Sequence, residues 1–352
     1  MMYNMGMKKT TIVFLLISLV SLCIYAEDFT LGIYGVNNPD DIKIVKAAGF
    51  NTIQTYVKDT EKIQALAEEA IKQNIKLVAC PDDFLKKFDK KTYIDMPIKA
   101  WYLFDEPDVH NLSWDTLNDL DVKTKHFFPN DKTVFVIGQG KTDTSFYDIA
   151  DILMVDWYPV PHLELESFGD QIAIAKNELA KAVVKDKPLW AVVQMFDWRE
   201  YKQYRPDTDR IGRFPTKDEI RFMSYDALFN GANGLFYFIY TSKEKPLPQA
   251  KPEAWSYIKE IVSELAFTTK ILSKGTELEI DEIESPFLAK SYSFEEETYI
   301  FLINRSDQFV KLPKIFRKSN LSVLFNQKTK FKKILKKYTV PPYSVWIIKK
   351  DR

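Results

Sequence analysis

The chain has 352 residues, of which 46% are hydrophobic, and its 49 Lys and Arg balance 49 Asp and Glu. This composition excludes a disordered or collagen-like chain, and the zero net charge argues against general nucleic-acid binding. Its 3 histidines lie far apart and its 2 cysteines are too few for a disulfide framework, so neither a histidine metal site nor a bound cofactor is implied.

The N-terminus has the pattern of an export signal. Lys8 and Lys9 precede an apolar run over 12–26 that ends at the small residue Ala26. We therefore predict a secretory signal peptide at 1–26 and an exported protein, whether periplasmic, on the cell surface or secreted. A retained anchor is one alternative. A lipoprotein attached through Cys23 is another, although Leu22 is large for such a signal.

From residue 29 to 272, short apolar runs alternate with amphipathic helical ones. Strands are predicted at 29–36, 51–57, 75–79, 100–104, 133–137, 152–155, 189–195 and 235–240. Helices are predicted at 39–48, 60–73, 113–127, 168–184, 216–229 and 253–272, with Thr216 and Glu219 forming a capping box. The order predicts an α/β fold, a (β/α)8 TIM barrel over 27–272. A doubly wound open sheet is the alternative, but no glycine-rich phosphate loop follows the first strand.

The pattern changes after residue 272. Runs with a period of two, at 287–294, 298–303, 321–325 and 343–348, predict a small antiparallel β-sandwich domain over 273–352. The stretch 311–337 contains many lysines and no acid. These lysines could form a solvent-exposed face that keeps edge strands from pairing with other chains. They could instead attach the protein to an anionic cell-envelope surface.

In a barrel of this kind, reactive side chains follow the strands at their C-terminal ends. The residues at these positions are carboxylates, amides and large aromatics, with few Lys, His or Cys: Tyr34, Asp105, Glu106, Asp156, Trp157, Tyr158, Gln194, Asp197, Trp198 and Tyr240. Aromatic rings stack on the apolar faces of sugars, and amides and carboxylates bind sugar hydroxyls. Phosphate sites and metal hydrolases need other residue types. The pattern favours a carbohydrate ligand.

At the fourth strand the sequence resembles a known group. Asp105-Glu106-Pro107 is similar to the Asn-Glu-Pro of the retaining (β/α)8 glycoside hydrolases of clan A. The segments 213–216, 225–228 and 231–235 resemble the seventh helix and eighth strand of secreted bacterial glycosidase-like barrels, which often carry a terminal β domain. The resemblance implies that Glu106 is the general acid/base. It implies that Asp105 stands where the family has the Asn that contacts the hydroxyl beside the reacting carbon.

The sequence departs from this family at the seventh strand, where Gln194 occupies the position of the nucleophilic Glu. Three hypotheses follow. Another carboxylate could act, with Asp156 preferred over Asp197 and Glu200; a separation of about 5 Å from Glu106 suits a nucleophile and about 6.5–9.5 Å suits a base that activates water. The Asp-Glu pair could instead resemble that of hexosaminidases, where the substrate's acetamido group attacks. The barrel could also bind sugar without cleaving it.

Together these patterns predict an exported glycoside hydrolase that cleaves an oligo- or polysaccharide by carboxylate acid/base catalysis. The predicted catalytic residues are Glu106, Asp156 and Asp197. The predicted sugar-binding residues are Asp105, Trp157, Tyr158, Gln194, Trp198, Tyr240 and Tyr34. A non-catalytic glycan-binding surface protein is the alternative because of Gln194. The sequence leaves the oligomeric state open.

Overall fold

The structure is a computed structural model that describes residues 29–87, 96–140, 144–184, 186–204, 212–242, 245–280, 283–317, 321–325 and 339–350. The predicted signal peptide, with Cys23, lies outside the described residues, as does much of the basic stretch 311–337. In the described part of the chain no helix has the length and apolar character to cross a membrane. In the same part, no cluster of three His, Cys, Asp or Glu side chains is arranged to hold a metal ion.

Eight parallel strands close into a barrel in chain order: β1 Thr30–Ile33, β2 Thr52–Thr55, β3 Lys76–Ala79, β4 Ile98–Asp105, β5 Thr133–Ile137, β6 Ile152–Asp156, β7 Leu189–Gln194 and β8 Gly234–Phe238. The first strand pairs with both β2 and β8, so the sheet has no edge. This confirms the predicted (β/α)8 barrel and excludes the open sheet, whose outer strands would each have one neighbour.

Helices connect the strands on the outside of the barrel: α1 Pro39–Ala47, α2 Thr60–Gln73, α3 Asp82–Lys87, α4 Trp114–Phe127, α5 Ser167–Leu179, α6 Lys217–Phe229, α7 Leu247–Ala250 and α8 Pro252–Lys274. Helix α6 begins with the capping box that its sequence predicts, because Thr216 and Glu219 each accept a hydrogen bond from the other's backbone N–H. Between β5 and β6 there is only a 3₁₀ turn, Thr144–Asp148, among the described residues.

Alternating side chains fill the inside of the barrel, and this filling sets the depth of its mouth. Trp190 and Phe236 stack there with ring centroids 5.2 Å apart. A Cβ atom on Gly32 would lie 2.2 Å from the Phe236 ring, so only glycine fits at that position. Above this layer lies Tyr34, whose hydroxyl donates to Met154 Sδ at 3.3 Å. Side chains therefore fill the lower part of the barrel, and the described residues leave room for a ligand at the C-terminal ends of the strands.

The C-terminal residues form the predicted antiparallel β domain. Its main sheet has the order β11 Thr276–Leu278, β12 Phe287–Phe294, β13 Glu297–Asn304, β17 Val345–Lys350 and β15 Leu321–Leu324. A two-stranded sheet, β14 Val310–Lys311 and β16 Thr339–Val340, accompanies it, and a short hairpin, β9 Thr241–Ser242 and β10 Lys245–Pro246, follows the barrel. Leu302 and Trp346 are buried in the domain's own core.

The two domains share a buried polar and aromatic contact on α5 and α6. The guanidinium of Arg305, at the end of β13, donates to Asp226 Oδ1 at 2.7 Å and to Asp170 Oδ1 at 2.7 Å. The side chain of Asp226 is 0% exposed and that of Arg305 is 19% exposed. The ring of Phe301 lies 5.5 Å from that of Phe229. This contact fixes the β domain against the outer helices of the barrel.

Candidate active site

The fourth strand brings two consecutive acids to the mouth of the barrel by breaking its own alternation. Between Tyr102 and Asp105 it advances three residues while β5 advances two, from Val134 to Val136. This bulge moves Asp105 into the inward phase that Tyr102 occupies. Glu106 then adopts a left-handed φ of 48°, which is uncommon for a residue other than glycine. Such a conformation at a strand end is typical of functional sites.

The carboxyl of Glu106 meets that of Asp156, the last residue of β6. The two carboxyl groups lie close enough that each shifts the pKa of the other. Asp156 is 8% exposed, and its Oδ1 is buried with no N–H or hydroxyl donor among the described residues. Two neighbouring carboxylates repel each other, so the pair is more stable when one of them carries a proton.

The surroundings of the pair favour protonated carboxyls. Burial raises the pKa of Asp156 well above its ordinary value, and the nearby charge of Glu106 raises it further. Burial and then the charge of Asp105 raise the pKa of Glu106. The pair titrates as a unit, and its two protons leave in separate steps. At intermediate pH it consists of one acid and one carboxylate.

Glu106 sits closer to solvent than its partner and is held by neighbouring loops. Its side chain is 28% exposed, and its Oε2 lies 4.0 Å from Nε2 of His110. A Cβ atom on Gly138, at the end of β5, would lie 3.1 Å from Glu106 Oε1, so the carboxyl rests directly on the glycine backbone. Asp108 joins the two loops by accepting from the N–H groups of Gly138 and Gln139 at 3.1 and 3.2 Å.

Asp105 is the third carboxylate at the mouth. Its Oδ1 accepts a hydrogen bond of 2.5 Å from the hydroxyl of Tyr102, and its side chain is exposed to a cavity beside the pair. Burial of the carboxyl group among the surrounding atoms raises its pKa. With one oxygen bonded to Tyr102, the Asp105 carboxyl can still accept hydrogen bonds from a ligand in the cavity.

Tyrosines and one phenylalanine form the wall around the three acids. The ring of Tyr34 lies 6.1 Å from Tyr56, 6.0 Å from Tyr102 and 5.6 Å from Phe238. The hydroxyl of Tyr158 donates to Asp156 Oδ2 at 3.0 Å. Tyr34 and Tyr102 are buried, whereas Tyr56, Tyr158 and Phe238 are half-buried and present surface at the mouth. The aromatics line the mouth and leave Glu106 accessible.

The structure gathers part of the predicted site. Glu106, Asp156, Asp105 and Tyr158 lie together, and Tyr34 forms the floor beneath them. Trp198 stands next to Tyr158, with ring centroids 6.2 Å apart.

Other predicted residues are engaged elsewhere. Asp197 is bound by the guanidinium of Arg199, with Nη2 2.5 Å from Oδ2, and Gln194 exchanges hydrogen bonds with the backbone of Val160 at 2.8 and 2.9 Å. Tyr240 is fully buried and donates to Asp41 on α1, and Trp157 packs among the outer helices and donates to Ser167. Glu200 pairs with Lys251 at 3.3 Å in a separate cleft.

The sequence-based site set omits three wall residues, which are Tyr56, Tyr102 and Phe238. Each occupies an inward position of a barrel strand or the residue just beyond it. Alternate residues of a strand share one face. The three residues can therefore be found by stepping two residues at a time along β2, β4 and β8 from the inward positions level with Tyr34. The set also omits His110, which approaches Glu106 from the turn that follows β4.

Comparison with known protein families finds no match for this sequence, and comparison with curated proteins finds none. Solved structures do match. Amy13B of Eubacterium rectale superposes with a TM-score of 0.57 at 9% identity, over 93% of this chain and 96% of that one. A GH30 endoxylanase from Clostridium papyrosolvens gives 0.50 at 12% identity, over 92% and 96%. AmyP in complex with maltotriose gives 0.51 at 9% identity, over 93% and 97%. At this identity the likeness establishes the fold alone, which agrees with the (β/α)8 barrel that the sequence predicted.

Proposed function

We propose that this protein is a glycoside hydrolase whose catalytic unit is the carboxyl pair of Glu106 and Asp156. The observation that carries the proposal is their proximity at the aromatic-lined mouth of the barrel, where each carboxyl shifts the pKa of the other. Hydrolysis of a glycosidic bond with two carboxyl groups needs one as an acid and one as a carboxylate. The singly protonated pair supplies both forms at once.

Glu106 donates the proton to the leaving oxygen because it is the more exposed of the two. As the bond from the anomeric carbon to that oxygen breaks, the Asp156 carboxylate bonds to the carbon. Water then attacks the same carbon, gives a proton to Glu106 and releases Asp156. Inverting enzymes separate the two groups by about 6.5–9.5 Å to admit a water, and retaining enzymes by about 5–5.5 Å. A pair close enough for each carboxyl to shift the pKa of the other is nearer to the separation of retaining enzymes than to that of inverting ones, which favours retention.

A panel of oligosaccharides tests this directly. The wild-type chain is incubated with cello-, xylo-, malto- and chito-oligosaccharides across the pH range, and released sugars and their anomers are followed by NMR. We expect one series to be cleaved, with the anomeric configuration of the first product retained. Cleavage with inversion would overturn the assignment of Asp156 as nucleophile.

A glycan-binding protein without catalysis is the second candidate. It is favoured by the engagement of Gln194 with Val160, because strand β7 then directs no carboxylate at the pair. It predicts saturable binding of a member of the panel and no product at any pH. We further propose export, supported by the N-terminal run at 12–26, and attachment to the cell envelope through the basic stretch 311–337.

The pH profile should respond to Tyr158. Its hydroxyl donates to the Asp156 carboxylate, which stabilises the charged form and lowers the pKa that burial raises. Removal of this donor in Tyr158→Phe raises the pKa of Asp156 further. Because Asp156 must be ionised to act as the nucleophile, the acidic limb of kcat/KM shifts to higher pH.

The matched control is Tyr257→Phe, which removes a hydroxyl that donates to Pro215 O on the outside of the barrel. Its acidic limb should coincide with that of the wild type. A downward shift in Tyr158→Phe, or an equal shift in both variants, would contradict the role given to this hydrogen bond.

A further inference from the structure

The cavity that Asp105 faces lies on the side of β3, β4 and α4. Its volume is about 810 Å³. Tyr102 and Asp105 line its inner end, and Thr116 and Lys123 on α4 line its outer end. Sites that hold a whole small ligand have volumes of roughly 300–1,000 Å³, so this cavity exceeds what one sugar ring requires.

The cavity is continuous with the site of the proposed chemistry. Asp105 precedes Glu106 in the chain and faces the cavity. His110 also lines the cavity, and its Nε2 lies 4.0 Å from Glu106 Oε2. A ligand bound there can therefore extend to the proton of Glu106 along one surface.

The lining combines rings with hydrogen-bonding groups of both kinds. Tyr56 and Phe104 present aromatic surface, Thr116 and Lys123 supply donors, and Asp119 supplies an acceptor. Sugar hydroxyls both donate and accept, and sugar rings have apolar faces. An apolar aglycone would satisfy the rings but leave the charged groups without partners, which is unfavourable.

We propose that this cavity binds additional sugar units of an oligosaccharide, next to the bond that Glu106 protonates. The inference rests on the proposed function and adds the substrate class: a chain of several sugars is preferred over a single sugar with a small leaving group. The contacts along α4 contribute to binding, and the chemistry stays at Glu106 and Asp156.

The test compares two bulky substitutions on the same helix. Thr116→Trp fills the cavity; the cap of α4 remains, since the Thr116 backbone N–H still donates to Ser113 Oγ. Val122→Trp adds the same ring at a position that is 57% exposed and does not line the cavity. Both are made in the Glu106→Gln background, and binding of the oligosaccharide panel, from two to six sugar units, is measured by calorimetry alongside octyl glycosides.

We expect affinity to rise with chain length in the Glu106→Gln parent and in Val122→Trp. In Thr116→Trp the longest chains should bind about tenfold more weakly, the equivalent of roughly 1.4 kcal/mol. Equal affinity for all chain lengths, or equal binding by both tryptophan variants, overturns the proposed subsite. The proposed function is unaffected by that result if the wild-type protein cleaves the sugar that binds. If octyl glycosides bind more tightly than the oligosaccharides and Thr116→Trp abolishes that binding, the cavity holds an apolar aglycone and the proposal is overturned. If no sugar of the panel binds, the proposed function fails and the subsite fails with it.

Discussion

Glu106→Gln should lower kcat/KM on the cleaved oligosaccharide by about 10²–10⁴, the contribution of a positioned proton donor. Glutamine keeps the shape of the side chain and its contact with Gly138, but it has no proton to give to a leaving oxygen. Substrate affinity should be retained, because the tyrosine wall and Asp105 are unchanged. Initial rates and calorimetric binding on the same sugar measure the two effects separately.

The control makes the same chemical change on the rim loop after β6. Glu164 there contacts Tyr343 at 3.3 Å and lies away from the pair, so Glu164→Gln should keep the wild-type rate. A Glu106→Gln protein that turns over at the wild-type rate would remove Glu106 from the mechanism. Loss of folding is checked by thermal unfolding, where both variants should match the parent.

Arg305→Met should destabilise the protein by about 3–5 kcal/mol at alkaline pH, the usual cost of leaving one member of a buried ion pair without its partner. Burial already raises the pKa of Asp226 to about 7 despite the opposing effect of Arg305. Without the guanidinium that pKa rises further. Below pH 7 Asp226 is protonated in both proteins, and the charge contributes little to the difference. Above pH 7 the wild type ionises a paired Asp226, whereas the variant must bury an unpaired charge or keep the proton.

The loss of stability should therefore grow as the pH rises through 7, measured by urea unfolding at pH 6 and pH 9. The double variant Asp226→Asn with Arg305→Met should recover much of the loss, since removal of both partners leaves no buried charge. Lys181→Met breaks an exposed pair with Glu178 and should cost about 0–1 kcal/mol at either pH. A loss that is independent of pH would show that Arg305 acts by packing alone.

Much of the fold could be predicted from local patterns. Alternation of apolar runs with amphipathic helices gave eight strands in order, and the Thr216–Glu219 spacing gave the start of α6. Both depend on residues that are close in the chain, where side-chain periodicity and capping determine the backbone. The short helix α3 was not predicted, because its six residues carry too little periodicity to be distinguished from a turn.

The candidate site was predicted less completely. The end of β4 indicated Glu106 and the end of β6 indicated Asp156, since the rim of a (β/α)8 barrel collects the residues that follow its strands. The same rule also selected Asp197, Gln194 and Tyr240. In the structure the polar groups of these three are engaged by Arg199, by the backbone of Val160 and by Asp41, and their role at the site stays a prediction.

The sequence by itself determined the barrel, the β domain and the kinds of side chain at the mouth, because strand period, helix period and capping act over a few neighbouring residues. Only the tertiary structure decided that the carboxyl groups of Glu106 and Asp156 lie next to each other. That contact joins residues 50 positions apart, and it depends on the bulge in β4 and on the left-handed turn at Glu106. A carboxylate is available for chemistry when no neighbouring group binds it. The groups around the mouth come from distant parts of the chain, so no local sequence pattern predicts which carboxylates they bind.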